Sequence, residues 1–72
     1  NDHQARLDLA VALAARGESE AAVNELLESV RRDRNWNEAA ARKQLLTLFE
    51  ALGATDPIVQ SGRRKLSSIL FS

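Results

Sequence analysis

The stretch RLDLAVALAARGESEAAVNELLESVRRDRN, Arg6 to Asn35, decides the fold. Two apolar patterns of helical period meet at Gly17, and a glycine just past a helix end supplies the left-handed cap that stops it. The spacing therefore predicts a helical hairpin. In the second limb, Ser19 to Asp33, the residues Ala22, Val23, Leu26, Leu27 and Val30 share one face, while Asn24, Glu25, Glu28, Arg31 and Arg32 occupy the other. Ser19 can cap this limb, Glu20 stands in its first turn, and Glu28 with Arg32 makes an i,i+4 pair in the better orientation. The first limb, Asp2 to Arg16, has Asp2 as a possible cap and Arg16 placed against the C-terminal dipole. Its apolar residues form two stripes, Leu7, Val11 and Ala14 on one side and Leu9 and Leu13 on another. One partner helix cannot cover both, so either a small bundle wraps this limb from two directions or part of it faces a neighbouring domain.

Outward from the hairpin, a third helix is expected from about Asn35, where Asn35 and Glu38 have the spacing of a capping box, to Gly53, which makes it the longest of the chain. Ala41, Leu45, Leu48, Phe49 and Leu52 make its core stripe, with Leu46 at the margin and Lys43, Thr47 and Glu50 outward. Arg42 projects beside that stripe, where its stem can lie on the core with the guanidinium in water, or where it can serve a partner. Asp56-Pro57 opens a fourth helix, since Asp caps well and Pro is preorganised for the first helical position. Ile58, Val59, Leu66, Ile69 and Leu70 share one side of it, and Gly62 on that same side predicts close backbone approach. Trp36, the largest side chain, stands where the second helix hands over to the third and is expected to plug that junction. The expected fold is all-α: two antiparallel hairpins, about 2–34 and 35–72, in one domain.

A chain of 72 residues has one modest core, and with no cysteine it has neither a disulfide frame nor a thiolate metal site to supplement packing. The one histidine, His3, lies in a terminus expected to fray and has no second His or Cys with which to build a nucleophile pair or a zinc site. No enzyme and no cofactor are expected. Ten basic and ten acidic residues balance overall, although nothing after Asp56 is acidic. Nucleic-acid binding would rest on RRDR at 31–34 and GRRK at 62–65, but acids dilute the first cluster and no aromatic residue interleaves with the cations to stack bases. No apolar run reaches the roughly 20 residues that span a bilayer, and no signal peptide is visible, so a cytoplasmic setting is expected. The absence of methionine marks the chain as processed or as part of something longer.

The hairpin resembles a tetratricopeptide repeat. Leu9, Ala10, Leu13, Gly17, Ala22, Leu26 and Val30 stand where that repeat of about 34 residues has its packing positions, and Arg34 departs from it by taking the place of the usual proline. Residues 36–72 are similar to a second, stretched unit. The order LAVALAARGESEAAVNELL, RDRNWNEAAARKQLLTLFEALGATDPIV and GRRKLSSILF further resembles the C-terminal helical region of the YbbN-type thioredoxin-like co-chaperones, or chaperedoxins. This resemblance implies a bacterial protein with an upstream thioredoxin-like domain, unfolded protein clients, and a GroEL chaperonin partner met by the far C-terminus.

The residues expected to meet partners follow from both readings. Phe71 projects to the solvent side of the last helix near Arg64, with Arg63 and Lys65 adjacent, and an aromatic framed by cations is the composition of an interface anchor. The alternative is that the terminal turn unwinds and Phe71 folds back. Leu7 and Val11 on the first helix offer apolar surface for client segments. A peptide adaptor that clamps a carboxylate is disfavoured, since Gln4, Leu7, Asp8 and Val11 supply no cation. Uncovered apolar surface would also allow a homodimer.

Overall fold

Gly17 adopts a φ of +83° in the computed structural model, which describes residues 2–71, and there the chain turns from α1 (Asp2–Ala15) into α2 (Ser19–Arg32). The amide of Gly17 donates to the Ala14 carbonyl at 3.1 Å and that of Glu18 to the Leu13 carbonyl at 2.9 Å, so the last carbonyls of α1 find partners within the turn. The remaining helices are α3 (Ala40–Leu52) and α4 (Pro57–Phe71). Gly53 ends α3 with φ +97° and an amide bonded to the Phe49 carbonyl. Asp56 opens α4 by accepting the Ile58 amide on its side chain at 2.8 Å, directly before Pro57. The all-α expectation holds, as do the glycine and proline boundaries.

The start of α3 is different. Asn37, Glu38 and Ala39 have φ of +49°, +57° and +63°, three left-handed residues in succession, so α3 begins at Ala40 and no capping box joins Asn35 to Glu38. With 13 residues α3 is the shortest helix, and α4 with 15 is the longest. The left-handed turn is closed by the Ala40 amide, which reaches the carbonyls of Trp36 and Asn37 at 3.1 Å each. Two cap assignments also change. Ser19 lies inside α2, where Glu18 holds the N-cap position without a side-chain cap and instead pairs with Arg16 at 3.0 Å. Asp2 belongs to the first turn of α1 rather than preceding it.

Burial centres on α2, the element that packs against each of the other three. Its whole apolar face, Ala22, Val23, Leu26, Leu27 and Val30, is buried, and Leu45, Leu48 and Phe49 of α3 and Val59 and Leu66 of α4 complete the core. Helix α1 meets α2 through the line between its two stripes. Ala10 is buried there, Leu7, Leu13 and Ala14 flank it half-buried, and Leu9 and Val11 are left 47% exposed on the two outer edges. A small residue at the centre of each facing surface, Ala10 and Ala22, lets the backbones come close. The bundle therefore does not wrap α1 from two directions. The result is a slab of 32 × 29 × 16 Å.

Gly62 is the close approach its position predicts: a Cβ there would stand 2.8 Å from the Phe49 ring and 3.3 Å from Val23. Phe49, and not Trp36, fills the centre where α2, α3 and α4 meet. Trp36 is half-buried and stacks on His3, with ring centroids 5.3 Å apart and an interplanar angle of 21°. His3 is in turn hydrogen-bonded through Nδ1 to the buried Ser29 hydroxyl of α2 at 2.8 Å. The amino-terminal turn is thus tied to α2 rather than frayed, and Trp36 is a cover over that tie. An exposed flank on the indole lowers the cost of its removal below the roughly 3 kcal/mol of a fully buried aromatic.

Candidate protein-docking surface

The last turn of α4 carries no cation of its own, and the carbonyls at a helix C-terminus need donors. Arg34, from the connection after α2, supplies them: its guanidinium donates to the Leu70 carbonyl at 3.1 Å and to the Ile69 carbonyl at 3.4 Å. A cation there also complements the negative end of the helix dipole. This holds the final turn helical with Ile69 and Leu70 half-buried against the core, and it leaves Phe71 83% exposed. The fold-back of Phe71 does not occur.

The three adjacent cations of α4 diverge. The Arg63 guanidinium lies 5.6 Å from the centroid of the Phe49 ring, a cation–π contact that lids the core. Lys65 points to the other flank, into a groove against α2. Arg64 alone shares the outer side with Phe71; seven residues apart, the two project within about 20° of one another. Leu7 and Val11 sit on α1 and Arg42, exposed, on α3, elements other than the one bearing Phe71 and Arg64. Leu7 packs half-buried against the core, which leaves Val11 as the more accessible of that pair.

Between α2 and α4 runs an open groove of about 320 Å³ lined by Asn24, Leu27, Glu28, Arg31, Lys65, Ser68 and Ile69. On its α2 wall Glu28 accepts from Arg31 at 2.6 Å and from Arg32 at 2.7 Å, and these bonds hold its carboxyl at about 2, well below its ordinary value. Sequence reasoning missed this groove because its walls come from residues some 40 positions apart on two helices; the Glu28–Arg32 spacing was its one local sign. Of the cations of RRDR and GRRK, Arg31 and Arg32 sit on Glu28, Arg34 on the α4 carbonyls and Arg63 on Phe49, while Arg64 faces outward and Lys65 lines the groove, so they do not join into one stripe for phosphates. Among the described residues no cluster of His, Cys, Asp or Glu could hold a metal, and no helix is long and apolar enough to cross a membrane.

A family model for the tetratricopeptide repeat matches residues 1–71. The chain belongs to the tetratricopeptide-repeat family. Comparison with curated proteins and with solved structures found no match. A tetratricopeptide domain of this kind is a protein-interaction module, and the helices here do what that requires, presenting side chains on a scaffold fixed by α2. The departure at Arg34 gains a physical sense in this family setting: where the repeat pattern has a proline, this domain has the side chain that closes the end of its own last helix.

Proposed function

We propose that this tetratricopeptide domain is the docking part of a YbbN-type thioredoxin-like co-chaperone, and that the last turn of α4 engages a GroEL-type chaperonin. The observation that carries the reading is Phe71, a large aromatic held 83% exposed on a turn whose carbonyls are capped. An aromatic kept in water beside an exposed arginine costs solubility and contributes nothing to the core, whereas it is the composition that binding hot spots favour. Arg64 on the same side supplies the charged rim, with Lys65 and Arg63 at its two flanks. Leu9 and Val11, at the uncovered edges of α1, meet the thioredoxin-like domain or apolar client segments, with Leu7 and Arg42 as supporting contacts. In this reading the parent protein is bacterial and cytoplasmic, and it has no redox chemistry in these helices.

The test is Phe71→Ser combined with Arg64→Glu in the parent protein, measuring chaperonin pull-down and melting temperature together. Docking predicts lost association with a melting temperature within about 2 °C of wild type, since both side chains lie outside the core. A destabilised domain that still binds the chaperonin overturns the proposal.

A further inference from the structure

We infer that residues 36–39 are a two-state segment: a left-handed turn while Trp36 lies on His3, and the first turn of a longer α3 when the start of α1 lifts. The seating of α1 then sets where α3 begins. The chaperonin reading is not needed for this. The observation behind it is a conflict between sequence and backbone. Asn37, Glu38 and Ala39 take φ of +49°, +57° and +63°, whereas non-glycine residues enter that region singly, Asn more readily than Glu or Ala. Glu38 is exposed and Ala39 half-buried, so their own side chains bury little in return. The same residues carry the signature of a right-handed start. With Asn35 as N-cap, Glu38 stands at the third helical position and can accept the Asn35 amide. In the structure that amide goes instead to the Asp33 carboxylate at 3.1 Å. Exchanging one acceptor for the other orphans no donor, and the connection after α2 shortens from residues 33–39 to 33–35, within the usual range for neighbouring helices.

Trp36 makes the two states exclusive. It stands nine residues before Leu45, which is 0% exposed, so a helix wound from Asn35 projects it about 180° from Leu45, towards water. In the structure it is half-buried and stacked on His3 with centroids 5.3 Å apart, an arrangement that the left-handed turn delivers. The latch behind the stack is short. His3 reaches α2 through the Ser29 hydroxyl at 2.8 Å, while α1 is also seated farther along by the Arg6–Glu25 pair at 3.1 Å and by buried Ala10. The first turn of α1 can thus lift with the rest of the helix in place, and helix ends are where local opening costs least. Loss of the stack removes what offsets the left-handed residues, and the backbone then takes the helix that its own sequence favours.

The test uses the 72-residue chain and residue-by-residue NMR. His3→Ala removes the latch without touching the core, so the amide–Hα couplings of residues 37–39 are expected to fall from left-handed to right-handed helical values. The emission of Trp36 should move at the same time towards that of an indole in water, with the amide shifts of Leu26 and Leu45 unchanged. Trp36→Ala breaks the same stack from its other side and is expected to give the same couplings. Ala39→Gly biases the segment the other way, because glycine accepts a positive φ and disfavours helix. It is expected to raise the urea midpoint of the wild-type chain and, added to His3→Ala, to restore the left-handed turn. Couplings that stay left-handed in both His3→Ala and Trp36→Ala, or that average as in a disordered loop, overturn the inference. An Ala39→Gly midpoint below that of wild type overturns it equally.

Discussion

At Gly62 two effects of opposite sign can be compared. Alanine in a helix interior is favoured over glycine by about 1 kcal/mol, but here its Cβ would sit 2.8 Å from Cε1 and Cζ of Phe49. That ring is 1% exposed and covered by Arg63, so it must shift within the packed core, and overpacking of a core costs roughly 1–3 kcal/mol. Gly62→Ala should therefore lower the urea midpoint, by a net amount on the order of 1 kcal/mol; a raised midpoint would mean that the ring gives way. Glu28 makes a pH prediction. Its carboxyl is held at about 2 in the folded domain by hydrogen bonds from Arg31 and then Arg32, against an ordinary 4.5. A depressed folded value means that the pair's contribution is present above pH 4.5 and is lost as pH falls through that window towards 2. Wild type should exceed Glu28→Gln in urea midpoint near neutral pH and approach it at about pH 2. A constant difference across that range would contradict the assignment. The size is small, because the pair is at the surface and salt screens it.

At the level of elements, the parts legible in the sequence were those with a local cause. Gly17, Gly53 and Asp56-Pro57 each end or begin a helix where their backbone chemistry demands it, and the period of Ala22 to Val30 names the face that is buried. The start of α3 had no such cause. Asn35 and Glu38 have capping spacing, and Glu38 and Ala39 are helix formers, yet residues 37–39 turn left-handed, at a cost of roughly 1–2 kcal/mol for each non-glycine residue. Tertiary context offsets it: Trp36 stacks on His3, which is bonded to Ser29, and those partners lie far away in sequence. Arg34 is the same kind of case, since its bonds to the Leu70 and Ile69 carbonyls cross 36 and 35 residues. Arg34→Gln should fray the final turn of α4. Amide hydrogen exchange at Leu70 and Phe71 should quicken with little change in melting temperature, because an exposed contact of this kind is worth under about 1 kcal/mol. Unchanged exchange would show that the turn holds itself.

Over the whole molecule, one helix touches everything. With α2 as the shared partner, α1, α3 and α4 each bury one face, and a slab only 16 Å thick leaves Leu9, Val11, Leu46 and Phe71 exposed on its outside. Of the expected site, the outward position of Phe71 and Arg64 was readable from projection along α4, because a helix's own geometry fixes it. Helix geometry likewise sets Arg63 and Lys65 about 200° apart, but what each meets, the Phe49 ring and the groove against α2, was not readable, since it depends on which neighbours α4 acquires. We propose that the outer side of the last turn of α4 is a docking element and not an idle chain end. Its most direct test is to add chaperonin to the ¹⁵N-labelled domain and follow individual amides. Selective broadening at Arg64, Leu70 and Phe71, with Ala22, Leu26 and Leu45 of the core unaffected at substoichiometric chaperonin, is the predicted result. Broadening confined to α1 around Leu9 and Val11, or none at all, would contradict it.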